Sequence, residues 1–399
     1  MPSSWSDPDR RIRPTLPPPL IVDTPERLTQ LRKALRAVKR MAVDTESNSL
    51  FAYRERVCLI QISTDVADYL VDPVRLDGHG DLDFLGDIFA EPRIEKVLHA
   101  AEYDVMTLRR DFGFRFANLF DTMLAARVLG WQQVGLGALL EMCFGIRVDK
   151  RHQRANWGHR PLSPALIRYA QLDTHYLLPL SDHLRAKLIE GDHLEEANEL
   201  FNEVAEAEWG GTGFDPRGFW RINGIHALQP QEIAVLEALY LYREQQAKQR
   251  NLPVFKVLSE NALLELALIQ PRTLQELSRV TGITQGVIRQ HGIGLLRAIK
   301  QGLQSPSPPR PRQQGQPDEL VQHRYDALHA WRKERAAQRG VSSEVILSRD
   351  TLWKLAEVAP RTLQELATIP SMGTWRIKMY GDELLSVLAR ANHEWSSSR

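Results

Sequence analysis

The heptapeptide Pro-Arg-Thr-Leu-Gln-Glu-Leu occurs twice, at residues 271–277 and 360–366, and the match continues on both sides at a constant offset of 89 residues. Leu258-Ser259 pairs with Leu347-Ser348, Glu237-Ala238-Leu239 with Asp326-Ala327-Leu328, and Gly292 with Gly381. A gapless offset over this span marks a duplicated module. Each copy, residues 230–303 and 318–393, is helical in pattern and predicts a small all-α bundle. The Pro-rich stretch 304–317 between them predicts a semi-rigid tether, residues 211–229 a linker and residues 394–399 a tail. The duplication leaves residues 20–210 for a domain of another kind.

In that region strand-like runs (MAVDTE, VCLIQIST, DYLVD, KVLHA) mix with helical patterns. The first three runs have short connections and predict an antiparallel meander. The fourth follows a helix and predicts a parallel addition. The fold class is therefore α/β, a mixed sheet with flanking helices, followed by two small all-α bundles. Residues 1–19, rich in Pro and Arg, are expected to form a flexible arm. Cys58 and Cys143 each sit in an apolar run, which argues against a disulfide framework or a thiolate metal site. No stretch nears the ~18 apolar residues of a membrane span, and the N-terminus lacks a signal peptide's apolar core, so a cytoplasmic location without membrane contact is expected. With 51 Lys and Arg against 50 Asp and Glu, any charged partner must be met by local clusters.

One such cluster begins in the first strand. Asp44 and Glu46 are two apart, so a strand points both to one face, where like charges repel unless a cation lies between them. Hard oxygen donors suit Mg²⁺ or Mn²⁺, and no His/Cys set suits zinc. Alone, the pair also reads as a solvated strand end. His99, a candidate binding residue that also reads as a packing residue, ends a later strand, and Asp104 follows in the first turns of a helix, where acids are common for dipole reasons. Tyr169 and Asp173, four apart, share one helix face.

The order of these pieces is more telling than any one of them: strand Asp-x-Glu, then His99 with Asp104 five residues on, then Tyr169 with Asp173 four residues on. This order resembles the three-motif signature of the DEDD exonuclease superfamily, in its tyrosine subclass. Together with the tandem repeats, the chain resembles the bacterial ribonuclease D family over residues 20–393, the repeats being its helicase-and-ribonuclease-D C-terminal (HRDC) modules. The resemblance implies a ribonuclease H-like sheet and a 3′-5′ exoribonuclease that releases nucleoside 5′-monophosphates. It implies that Asp44, Glu46, Asp104 and Asp173 hold two divalent cations, Mg²⁺ or Mn²⁺, and that Tyr169 aligns the attacking water. By the same resemblance the partner is RNA with an accessible 3′ end, tRNA precursors among them, met by a monomer. The same site chemistry would also serve DNA, and a non-catalytic RNA-binding scaffold is the third reading. Asp121 matches a recurrent family position and also stands where an N-cap belongs. Where the family often has Ser-Asp-Trp, this chain has Ala155-Asn156-Trp157, and Leu50, Phe51 and Tyr53 all remain candidates for touching the terminal base.

For the RNA itself, residues 147–161 concentrate Arg147, Lys150, Arg151, Arg154 and Arg160 with one acid, Asp149, and supply Trp157. Cations for phosphate plus an aromatic for stacking is a single-strand binding pattern, and a solvated basic loop is its plain alternative. The first repeat carries nine Lys and Arg against six acids, the second eleven against ten. The first is thus the better RNA contact, with Lys248, Arg250, Lys256, Arg289 and Lys300 as candidates, and His99 is a candidate RNA contact as well.

Overall fold

Eight residues, Arg40–Ser47, form the central strand β2 of a six-stranded sheet in this computed structural model, which describes residues 16–76, 82–211, 213–311 and 318–397. Most of the expected N-terminal arm, part of the expected tether, the last two residues and the side chain of Lys150 lie outside the described residues. The strands are β1 (Leu20–Val22), β2, β3 (Val57–Ser63), β4 (Asp68–Val71), β5 (Glu95–Leu98) and β6 (Leu119–Asp121), in the spatial order β1-β4-β3-β2-β5-β6. β2, β3 and β4 are the antiparallel meander, and β5 adds parallel to β2 and β6 parallel to β5. β3 is buried along its whole length, as its unbroken apolar run requires. β1 and β6, three residues each, are too short to leave a periodic signal.

The helices of this domain are α1 (Pro25–Leu35), α2 (Asp83–Ala90), α3 (Glu102–Phe112), α4 (Thr122–Val128), α5 (Leu136–Phe144), α6 (Pro164–His175), α7 (Leu177–Glu190) and α8 (Leu194–Ala205). All of these helices but α6 share one apolar core with the sheet, running from Val22 to Ala205, and α6 packs in a second, smaller core with Cys58 and Leu59 of β3, Leu70 of β4 and Trp157.

The first repeat contains α9 (Pro230–Arg250), α10 (Val254–Val257), α11 (Glu260–Ile269), α12 (Leu274–Leu277) and α13 (Gln285–Gln304). The second contains α14 (Glu319–Arg339), α15 (Ser343–Ile346), α16 (Arg349–Val358), α17 (Leu363–Leu366) and α18 (Thr374–Ser397). Thr273 and Thr362 cap the same short helix in each copy, each hydroxyl accepting from a backbone N–H three residues on. Gly292 and Gly381 are bare for one reason: a Cβ there would lie 2.7 Å or 2.6 Å from Leu274 or Leu363. The recurrence in sequence is therefore a recurrence in packing.

Two domain boundaries differ from expectation. Within the supposed linker 211–229, Phe219, Ile222, Ile225 and Leu228 are buried in the first bundle's core, because the stretch is apolar at the right spacing despite its glycines. α18 runs to Ser397, past the boundary at residue 393. The second bundle, whose placement the sequence leaves open, belongs to the same compact unit as the sheet. α8 carries Glu196, Glu199 and Glu203 at a spacing that aligns them on one face. Glu196 meets Arg339, Glu203 lies 3.0 Å from Arg376, and Glu199 accepts from the Trp375 and Arg376 backbone N–H groups at the start of α18. A carboxylate at a helix N-terminus is favoured by the helix dipole as well as by these bonds.

Candidate active site

Asp44, Glu46 and Asp173 each offer a carboxylate oxygen, and the three oxygens lie within 4.8 Å of one another. The first two project from the end of β2, and the third comes from α6. Asp104, in the first turn of α3 and 5% exposed, accepts a hydrogen bond from the hydroxyl of Thr45, the residue between the two strand acids. Tyr169, one helical turn before Asp173, hydrogen-bonds to that carboxylate.

The helix bearing Tyr169 and Asp173 is fastened to the sheet by residues that sequence reasoning passed over. Gln171 and His175 both reach Asp68 Oδ2 on β4, at 2.6 and 2.8 Å, and the Thr174 hydroxyl meets that of Ser63 on β3 at 2.7 Å. No signal in the sequence links Asp68 to residues more than 100 positions away.

Asp121 resolves an alternative that the sequence left open, and it does more than cap. Its carboxylate accepts from the Met123 and Leu124 N–H groups at the start of α4 and from Ala100 and Ala101 just before α3. Ala100 has φ +59°, a left-handed conformation that costs an alanine energy and needs such an anchor. Asp121 therefore ties the turn that launches Asp104 to the next helix.

The cluster is electrostatically strained without a counter-ion. Burial pushes Asp44 up to about 7, and burial followed by the charges of Asp44, Asp173 and Asp104 pushes Glu46 up to about 10. Asp104 and Asp173 are also raised, first by burial and then by Asp44. Burial likewise raises Tyr169, with neighbouring carboxylates adding to the shift, so its phenol stays protonated at neutral pH. A carboxyl whose folded pKa lies above its unfolded value stabilises the folded state at low pH, and that contribution is lost as pH rises through the folded value. The window here runs from about 4 to about 7 for Asp44 and to about 10 for Glu46. Metal-free protein is therefore expected to melt at least about 3 °C lower at pH 8 than at pH 5.5, and millimolar Mn²⁺ at pH 8 should restore the difference. Glu46→Gln should flatten the profile. A wild-type melting temperature indifferent to both pH and Mn²⁺ would contradict the cluster.

These donors fit a divalent cation: hard, convergent oxygens in a recess where their own repulsion is unrelieved. The proposed RNA contacts fare unevenly. His99 is half-buried, its Nδ1 2.9 Å from the Thr122 hydroxyl, and burial lowers its pKa to about 4, so it is neutral. Arg151 is exposed and paired with Asp149, Arg147 is paired with Glu141, and Arg154 is exposed. Lys248 and Arg250 are exposed at the end of α9. Trp157 must be corrected. At 1% exposure it cannot stack on a base, and it lies instead in a core with Cys58, Leu59, Leu70 and Ala170, 6.0 Å from the Tyr169 ring. Arg160 is likewise no phosphate contact, because it grips both oxygens of Asp72 at 2.6 and 2.8 Å and donates to the Cys58 carbonyl. Asn156 caps the local turn, accepting from Gly158 N.

Residues 19–189 match the 3′-5′ exonuclease family, and residues 232–299 and 322–388 each match the HRDC domain. The chain is 30% identical over 379 residues to the ribonuclease D of Acidiphilium cryptum, covering 93% of each. It is 32% identical over 302 residues to the exosome complex exonuclease RRP6 of Saccharomyces cerevisiae, covering 72% of this chain and 41% of that one. Among solved structures, Escherichia coli RNase D, described as an exoribonuclease involved in structured RNA processing, superposes with a TM-score of 0.65 at 25% identity. That match covers 93% of this chain and 99% of the other. No helix among the described residues is long and apolar enough to cross a membrane.

Proposed function

Because the chain belongs to the ribonuclease D family and is a 3′-5′ exoribonuclease, we propose that Asp44, Glu46, Asp104 and Asp173 hold two divalent cations, Mg²⁺ or Mn²⁺, at the end of an RNA strand. The observation that carries this reading is the convergence of three carboxylate oxygens within 4.8 Å, with a fourth acid beside them. When bound, such ions supply Lewis acidity that favours hydroxide formation and stabilises the departing oxygen. The carboxylates fix where that acidity acts. Tyr169, protonated and hydrogen-bonded to Asp173, is unsuited to act as a base and orients the attacking water through its hydroxyl. The water oxygen adds to the terminal phosphorus, the bond from phosphorus to the preceding nucleotide's 3′ oxygen breaks, and a nucleoside 5′-monophosphate leaves. The shortened strand retains a 3′-hydroxyl.

The substrates we assign are structured RNAs with accessible 3′ ends, tRNA precursors in particular, in keeping with the structured-RNA processing named for the Escherichia coli neighbour. We further assign a monomer working in the cytoplasm. Arg151, Arg154 and His99 on the catalytic domain, with Lys248 and Arg250 on the first bundle, are the proposed RNA contacts. Incubating 5′-labelled, 3′-extended tRNA with Mg²⁺ tests the reading: products shortened one nucleotide at a time, with mononucleotide release, are expected. Unchanged RNA after prolonged incubation with Mn²⁺ would favour the scaffold reading, and equal or faster rates on matched DNA would move the substrate class.

A further inference from the structure

The segment between β2 and β3, Asn48–Arg56, belongs to the same compact unit as the first bundle. Its neck is closed by Asn48, 7% exposed, whose N–H donates to the Arg56 carbonyl while its side-chain oxygen accepts from Arg56 N at 2.8 Å. Phe51 N and Ala52 N both donate to the Asn48 carbonyl. The loop is thus a stiff, self-bonded turn.

Its tip is held by the bundle. The Tyr53 hydroxyl donates to the Glu244 carboxylate on α9, and Tyr53 N donates to Oδ1 of Asn251, the left-handed residue that ends α9, at 3.2 Å. The Tyr53 ring packs against the bundle's apolar core, and the Lys256 ammonium sits 4.1 Å from the centre of the Phe51 ring. These contacts engage an aromatic hydroxyl, a carboxylate and a capping amide. A surface made only to attract phosphates would need none of them, and Lys256, a candidate phosphate contact, is turned to the protein's own loop.

Chain continuity gives the contacts a consequence. Asn48 lies two residues beyond Glu46, and the β2–β3 register shifts between Glu46 and Ser47, so that carboxylate sits at a break in the ladder with one more pair, Ser47 with Val57, before the loop. Past that last pair, the backbone is shaped by the loop, and the loop's tip is held by the bundle. We propose that the first bundle acts on catalysis by positioning the end of β2, with Tyr53 as its positioning residue, and not only by gripping RNA. This rests on the reading of Glu46 as a cation ligand.

The test uses the full-length protein and a p-nitrophenyl ester of a nucleoside 5′-monophosphate, too small to need an RNA-gripping surface, alongside 3′-extended tRNA. Tyr53→Ala is expected to lower kcat on the ester about tenfold with KM within twofold, and to weaken Mn²⁺ binding several-fold in a direct titration. Tyr53→Phe and Glu244→Ala, which remove only the hydroxyl contact, should each lower kcat about threefold. Glu244→Ala alters one half-buried helix residue and decides the matter even if Tyr53→Ala fails to fold. Unchanged ester kcat and Mn²⁺ affinity in these variants, with loss confined to KM for RNA, overturns the inference alone. A wild-type protein that hydrolyses neither substrate removes the nuclease reading and this inference with it.

Discussion

Replacing Asp44 with Asn is expected to lower kcat for RNA hydrolysis by about a thousandfold or more, roughly 4 kcal/mol of transition-state stabilisation. Asn preserves shape and one neutral oxygen, so the loss isolates the carboxylate's charge. Within the cluster that charge raises Glu46, Asp104 and Asp173, and its removal leaves a cation with one charged donor fewer. Stability should move the other way. Burial already pushes Asp44 up to about 7, so the metal-free variant should melt no lower than wild type at pH 8. Single-turnover hydrolysis of 5′-labelled RNA with a paired thermal melt reads both effects. Activity within a few-fold of wild type would refute the role of Asp44.

The second large effect falls on stability. Trp157→Ala is expected to cost about 3–5 kcal/mol, the range for emptying a large buried aromatic site. The indole is 1% exposed and fills the space among Cys58, Leu59, Leu70 and Ala170. Because it also supports the Tyr169 ring, kcat should fall while RNA affinity holds. Trp157→Phe should cost far less, since the indole N–H meets no acceptor among the described residues and no hydrogen bond is lost. Urea unfolding and equilibrium RNA binding check the pair. Wild-type stability in Trp157→Ala with weakened RNA binding would return Trp157 to the surface role that its sequence context suggests.

The contrast between these two residues shows what the sequence could disclose. Asp44 and Glu46 were legible because strand alternation alone puts both on one face, and their spacing to Asp104, Tyr169 and Asp173 follows a recurring order. The bundles were legible because a duplication writes its own boundaries. Trp157 and Arg160 misled because a run of cations with one aromatic looks the same whether it faces solvent or folds under itself. Only the distant partners Asp72 and Cys58 decide that, and nothing near residue 160 names them. The docking of the second bundle was hidden for a related reason. Glu196, Glu199 and Glu203 read as an ordinary solvated helix face until Arg339 and the start of α18 meet them. The loop after Glu46 offers Leu50, Phe51 and Tyr53 to a base as far as sequence goes, whereas Tyr53 is committed to α9.

The central claim is that the acids of β2, α3 and α6 gather to bind cations. Anomalous diffraction from crystals soaked in Mn²⁺ with a nucleoside 5′-monophosphate tests it most directly. The account predicts one manganese peak bound by Asp44, Glu46 and Asp173, a second near Asp104, and the nucleotide phosphate against both. A soaked crystal with no manganese among these residues, or with the nucleotide bound elsewhere, would contradict it.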